Sequence, residues 1–360
     1  MKIKIKNLFK RDVTPVKRGA RGAFISGSCS IAGVMLHVLA ALFPLIIWSV
    51  YLFGFRVVVV IAVSAASSLG TEALLTFAIY KKPRISDLTA VVSGVILAMT
   101  LPAAVPLWIP AVGGVLAAGI KQLTGGTGRN FVNPALFART IIMVAFSKMI
   151  VYTAPFADLP LFSSVDTKLS YETVISTLND GRFPPYHYSD LIFGKIPGNI
   201  GEVSVLLIIL GGVFLMVRKI ITYRIPVSFV ATFAVLIYFI PSDKNIDSSF
   251  AVYSILSGGL IFAAVFMATD HTTSPCTPLG QVIYGIGCGG LTVLLRYSGL
   301  FYDGVYPAVL IMNELARPID ELAFKLTNPA KKKKTAKKAS GPEPGPEIVP
   351  DRQTGGDSGR

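Results

Sequence analysis

Residues 31–52, IAGVMLHVLAALFPLIIWSVYL, hold no Asp, Glu, Lys or Arg, and residues 56–79, RVVVVIAVSAASSLGTEALLTFAI, follow after only three positions with charges at Arg56 and Glu72 alone. A bilayer core of roughly 30 Å is crossed by about 20 apolar residues in helical form, so each stretch is long enough to span it. This pair of runs makes lipid the solvent for the chain. Working outward, further apolar runs lie near 88–105, 107–123, 135–152, 203–217, 226–240, 250–268, 279–296 and 304–324. The fold class expected is an all-α integral membrane protein with about ten transmembrane helices. Pro102, Pro106 and Pro110 mark the third and fourth runs as broken or tightly paired segments, which lipid tolerates only where protein surrounds them.

Composition agrees. The chain is 52% hydrophobic and 15% charged, whereas soluble domains carry about a quarter charged residues. A net charge of +14 invites a nucleic-acid reading, but the basic residues crowd the termini and the short loops between apolar runs. Anionic lipid headgroups are the simpler partner, and no nucleic acid is expected. Cys29, Cys276 and Cys288 are too far apart for a metal site, and His37, His187 and His271 are scattered. The cysteines read as small apolar fillers. The basic stretch Lys2–Arg21 is long and the first apolar run spans, so that run is expected to stay in the mature protein rather than act as a cleaved signal.

Orientation follows from the basic loops. The N-terminal segment 1–22 is basic and expected to be cytoplasmic. The even-numbered crossings return to Lys81, Lys82 and Arg84, then Lys121, Arg129 and Arg139, then Arg218, Lys219 and Arg224. Segments 23–152 and 203–325 each read as a five-helix repeat, separated by an acidic outer loop, 153–202. The repeat rests on Ser93-Gly94 against Ser257-Gly258, Gly113-Gly114 against Gly289-Gly290, and Pro134-Ala135 against Pro307-Ala308. Five crossings between copies make the repeats inverted, an architecture that puts a site at the midplane. Segment 326–360 begins with a lysine run that anchors the last helix at the lipid surface. It ends in a Gly, Pro and Ser composition expected to be disordered and cytoplasmic.

Six separated blocks carry a family resemblance: Thr71-Glu72-Ala73-Leu74; Gly125-Gly126-Thr127-Gly128 leading to Asn133-Pro134-Ala135-Leu136; Ile196-Pro197-Gly198-Asn199-Ile200-Gly201-Glu202; Arg224-Ile225-Pro226-Val227-Ser228; Ala268-Thr269-Asp270; and Asp303-Gly304-Val305 through Met312-Asn313. Over about residues 20–325 the chain resembles the D-type membrane component of the Rnf complex (RnfD), a family closely related to the B-type component of the sodium-translocating NADH:quinone reductase (NqrB). The resemblance implies a fold similar to urea channels in a prokaryotic cell (inner) membrane. It also implies membership, with other membrane and peripheral subunits, of a complex that couples electron transfer between ferredoxin and NAD to pumping of sodium ions or protons. Finally, it implies flavin mononucleotide (FMN) joined by a phosphoester to a threonine of the outer loop. In the family that threonine ends a Ser-Gly-Ala-Thr stretch; here the place reads Ser170-Tyr171-Glu172-Thr173. A bulky aromatic and an acid replace two small residues, which removes glycine's freedom and sets a carboxylate beside a phosphate. Two alternatives therefore stay open: a scaffolding subunit without flavin, and a passive solute channel of the same architecture.

The residues support an outer site independently. A connection of roughly 48 residues is long for a mere link. Within it Lys168 or Arg182 can pair with a phosphate, and Tyr186 and Tyr188 can stack on a ring or lie in an interfacial aromatic belt. The segment Thr124–Asn130 reads either as a tight turn or as a backbone cradle for phosphate at the start of a helix, without the lysine-serine ending of a P-loop. Glu72, Glu314 and Asp270 are the acids in or beside apolar runs, hence candidates for an ion path or for helix pairing.

Overall fold

Helices form where the apolar runs lie, and stop where proline or glycine interrupts them. The computed structural model describes residues 31–81, 87–126, 130, 132–163, 165, 170–202, 204–239, 248–299, 301 and 303–327. The basic N-terminus, Cys29, Thr127–Arg129, Lys168 and the tail beyond Thr327 lie outside the described residues. The chain runs α1 (Ile31–Phe53), α2 (Arg56–Tyr80), α3 (Thr89–Met99), α4 (Trp108–Leu123) and α5 (Pro134–Ala145). Two short helices follow, α6 (Val174–Asn179) and α7 (Tyr188–Phe193), then α8 (Val205–Val217), α9 (Arg224–Phe239) and α10 (Ser248–Leu256). A single turn, α11 (Leu260–Phe262), continues into a π-helical turn (Ala263–Met267) before α12 (Pro278–Tyr297) and α13 (Val305–Thr327). Among the described residues there is no strand.

Every predicted run contains a helix, but not every helix spans by itself. Among the described residues three helices (α1, α2 and α12) are long and apolar enough to cross a membrane, or four if the bent pair 249–256 and 260–267 is one span. Five more apolar helices are shorter. The chain is a multi-pass membrane protein of helices. The third run is the clearest departure: helix stops at Met99, because Pro102 and Pro106 carry no amide proton and disfavour helical geometry in the residue before them. The eighth run bends by 54° at Ser257–Gly259, where Gly258 has φ +69. The fifth ends early, at Ala145, followed by a short 3₁₀ turn, Ser147–Met149.

Backbone freed by the first break is satisfied by protein. Ile200 N–H donates to Leu101 O at 2.9 Å and Gly201 N–H to Met99 O at 2.7 Å. Arg56 Nε donates to Ala103 O at 2.9 Å and Nη2 to Val105 O at 3.1 Å, while Nη1 reaches Ser163 O at 2.8 Å and Pro160 O. Irregular backbone is thereby kept out of lipid.

Small residues bring the main helix pairs into close contact. A Cβ on Gly114 of α4 would lie 2.6 Å from Ser64 O of α2, and one on Gly289 of α12 would lie 2.7 Å from Phe229 O of α9. Gly211 of α8 meets Ala41 O of α1 in the same way, at 3.0 Å. Such approach lets helices associate where lipid removes the hydrophobic drive between them. The Ser-Gly motif behaves otherwise: Gly94 packs mid-helix on Ala65, whereas Gly258 forms the bend.

Candidate functional site

The outer loop does not hang free of the helices; it closes over a cavity of about 360 Å³. Its walls come from α5 (Arg139, Met143), the loop through Ser170–Ser176, the segment Ile196–Asn199 with Glu202, the Ser257-Gly258 bend, and Asp303 ahead of α13. Tyr171 N–H donates to Tyr152 O at 2.8 Å, and Ser170 Oγ accepts from Tyr152 N–H at 3.2 Å, which ties the loop to the chain leaving α5. Thr173 starts α6 because it caps it: its Oγ1 accepts from Ser176 N–H at 3.3 Å. The cap fixes the hydroxyl in the cavity wall, 7% exposed.

At the mouth, Arg182 pairs with Glu172 at 3.0 Å and with Asp180 at 2.9 Å, all three well exposed. These pairs contribute little stability, but they neutralise Glu172 and occupy Arg182. Among the described residues the cation that lines the cavity is Arg139, 2% exposed, whose Nε and Nη1 have no hydrogen-bond partner there. Its guanidinium lies 5.2 Å over the ring of Tyr306. Glu202 Oε2 accepts from Asn199 Nδ2 at 2.7 Å, while Glu202 Oε1 and Asn199 Oδ1 are unpartnered among the described residues. Burial, with Asp303 adding like charge, pushes the Glu202 carboxyl up to about 8. Asp303 is itself held by Arg296 at 2.7 Å and accepts Gly259 N–H at 2.9 Å.

The other residues singled out in the sequence are placed elsewhere. Tyr186 and Tyr188 do not line the cavity; Tyr188 packs on Tyr253 at 4.8 Å, and Tyr253 Oη donates to Tyr186 O. Glu72 is buried between α2 and α4, its Oε1 and Oε2 accepting from Lys121 Nζ at 2.7 and 3.0 Å and Oε1 also from Gln122 Nε2 at 3.0 Å. Asp270 follows the π turn and accepts from Thr272 Oγ1 at 3.0 Å and Thr273 Oγ1 at 3.4 Å, a loop-stabilising role. It borders a smaller cavity of about 100 Å³ shared with Lys121 and Asn133. Glu314 lies on the exposed face of α13. The three acids are not gathered into one site, and among the described residues no cluster of His, Cys, Asp and Glu can hold a metal. Gly125 and Gly126 form a turn closing α4, with Gly126 N–H donating to Lys121 O at 2.9 Å.

Sequence reading missed Arg139 and Lys121 by counting them with cytoplasmic loops; both are buried inside helices. The available signal was a lone arginine in the apolar run PALFARTIIMVA, where a charge at depth marks function.

Residues 20–327 match the NQR2, RnfD, RnfE family. The chain is 36% identical over 296 residues to the D subunit of the Na(+)-translocating ferredoxin:NAD(+) oxidoreductase complex of Acetobacterium woodii, covering 81% of this chain and 88% of that protein. It is 32% identical over 315 residues to the D subunit of the proton-translocating ferredoxin:NAD(+) oxidoreductase complex of Clostridium ljungdahlii, covering 84% and 92%. It is 35% identical over 234 residues to the B subunit of the Na(+)-translocating NADH-quinone reductase of Pseudoalteromonas atlantica, covering 62% and 56%. With the match running through both helical segments and the outer loop between them, the chain belongs to the NQR2, RnfD, RnfE family.

Proposed function

We propose that this chain is the D-type membrane component of an ion-translocating oxidoreductase complex linked to ferredoxin and NAD, and that Thr173 carries FMN through a phosphoester. Relatives named as the D subunits of such complexes support the first part. The observation that carries the second is the cavity under Thr173, lined by a buried arginine with two unpaired N–H groups. Arg139 interacts with the Glu202 carboxyl and the Tyr152 hydroxyl, and a buried guanidinium that still keeps unpaired N–H groups favours an anionic or electron-rich ligand beside it, which supports a fit to FMN. FMN bound there supplies electron transfer, and the protein sets its position and potential. The chain's own contribution is specific. Thr173 presents the hydroxyl, the strap from Tyr152 to Ser170 holds the peptide in place, and Arg182 removes the charge of Glu172 from the mouth.

The architecture proposed has ten spans in two inverted halves, with both termini on the cytoplasmic side of the cell membrane. The similar glycine approach of α4 to α2 and of α12 to α9 supports it. A second reading, a scaffolding subunit without flavin, is favoured by the exposed Tyr171 and Glu172 where the family has small residues.

The test is in-gel flavin fluorescence after denaturation of the full chain co-expressed with a flavin transferase. Thr173→Ala abolishes the signal, whereas Ser176→Ala and Thr177→Ala keep it. Tyr171→Gly with Glu172→Ala raises stoichiometry. Signal only in that restored chain establishes the scaffolding reading, and signal in neither removes the flavin site.

A further inference from the structure

Thr173 turns inward where its neighbours do not. Tyr171 is 53% exposed and the Glu172 carboxylate is exposed beside it, whereas Thr173 is buried, and so are Val174, Ile175, Thr177 and Leu178 after it. The Thr173 oxygen is also in use, since Oγ1 accepts from Ser176 N–H as the cap of α6. Packing holds this short helix down. Ile175 Cδ1 fills the space that a Cβ on Gly258 would need, so α6 is seated in the bend after α10. Val174 and Leu178 pack with Leu191 and Ile196 in a small buried cluster of their own, against Phe250 and Tyr253 of α10. Tyr253 Oη, by its bond to Tyr186 O, ties the rest of the loop to the same helix.

Attachment asks for the opposite arrangement. Thr173 Oγ1 must attack the flavin-side phosphorus of a flavin dinucleotide: an O–P bond forms, the pyrophosphate bond breaks, AMP leaves with the electron pair, and the hydroxyl proton passes to a base of the transferase. The two reacting atoms have to come within about 3–3.5 Å, with that base in hydrogen-bond reach of the same oxygen. A hydroxyl recessed in a cavity wall and committed to a backbone amide cannot be surrounded in this way by a second protein. Resting on the attachment at Thr173, we propose that α6 is a latch: the transferase takes Thr173 only while residues 170–179 are lifted from the bend, and α6 then closes with the flavin beneath it. The acceptor is the opened loop, and attachment is a step of assembly, not a modification of the finished chain. A latch held by one short helix and a small cluster opens far more readily than the chain unfolds.

The test starts from the full chain purified in detergent without flavin, to which transferase and flavin adenine dinucleotide are added afterwards. Covalent fluorescence on a denaturing gel is followed against time, with amide hydrogen exchange of residues 174–179 in parallel. Leu178→Ala empties a buried position of the latch outside the cavity wall. It is expected to take up flavin, and to exchange, at least about tenfold faster than the parent. Tyr253→Phe loses only the bond to Tyr186 O and moves both rates the same way by less; it carries the test should Leu178→Ala not elute as folded protein. Equal uptake by the parent and a variant whose exchange has accelerated overturns the proposal, because the hydroxyl is then reached in the closed loop. Unchanged exchange in the folded variants also overturns it, because these contacts then do not hold α6. Co-expression keeps the two readings apart. A parent chain that gains flavin when the transferase is present during synthesis retains attachment at Thr173 whatever the rates, and one that gains none loses both the attachment and this inference.

Discussion

Arg56 makes no ion pair among the described residues, yet it is almost fully buried at the start of α2, and its guanidinium donates to the carbonyls of Ala103, Val105, Pro160 and Ser163. The Ala103 and Val105 carbonyls are free acceptors because proline breaks the third run, and those of Pro160 and Ser163 belong to the loop after α5, so one rigid fork repairs part of what Pro102 and Pro106 cost and ties the loop to the break. A lysine offers one compact head and cannot reach four separate oxygens. Arg56→Lys is expected to lower detergent-phase thermal stability by about 1–3 kcal/mol for each carbonyl left buried and unpaired; an unchanged melting midpoint would refute this account. Glu72 poses the opposite question, a buried acid whose partner is known. Removing one member of a buried pair typically costs about 3–5 kcal/mol, whereas replacing both with apolar residues is often neutral. Glu72→Gln should therefore deplete the protein, and Glu72→Leu with Lys121→Met should restore its abundance. If Glu72 also serves an ion path, sodium or proton uptake by vesicles stays lost in the double variant. Normal uptake there leaves Glu72 as a helix-pairing residue.

Between α9 and α12 the element-scale argument is about which glycines touch. Gly289 faces the Phe229 carbonyl, while its neighbour Gly290 finds nothing nearer than Leu236 Cδ1 at 3.8 Å. Adding one methyl at the first site forces the helices apart, an overpacking that costs about 1–3 kcal/mol. At the second it only restricts the unfolded chain and favours helix by up to about 1 kcal/mol. Gly289→Ala should thus melt earlier and Gly290→Ala no earlier than the parent, with equal melting of both variants contradicting the packing described. The Gly-Gly pairs were legible in the sequence as a repeated motif, but not which member carries the contact. The Ser-Gly pairs were legible too, and they mislead: Gly258 adopts φ +69 at a bend, and Gly94 does not. A dipeptide records composition, whereas a bend is decided by what lies behind it, here Asp303 and Tyr306.

Across the whole molecule, hydropathy located the helices because lipid demands apolar length, and the outer loop was recognisable because nothing apolar explained its extent. The cavity was only half legible. Thr173 is a candidate from the loop sequence itself, but Arg139, Glu202 and Asp303 come from distant segments, and no local pattern in the chain reports that α5, the bend after α10 and the start of α13 converge. Counting Arg139 as a cytoplasmic charge also weakens the orientation argument at that return, so orientation needs a direct test, and the chain contains its own reporter. Cys276 is exposed in the loop before α12, which the alternation of basic loops puts inside. Cys288 is buried in α12 and stays silent. Asp180 is exposed in the outer loop, and its ion pair with Arg182 is weak enough to sacrifice. In a Cys29→Ser background, a membrane-impermeant maleimide on intact cells should leave Cys276 unlabelled until the membrane is permeabilised. Burial and, next, Asp320 push the Cys276 thiol up, so its labelling after permeabilisation should accelerate as pH rises and the thiolate fraction grows. With Cys276 also changed to Ser, Asp180→Cys should label on intact cells without permeabilisation. Reversed accessibility inverts the topology, and labelling of both sites from outside means that the number of crossings between residues 180 and 276 is even rather than odd.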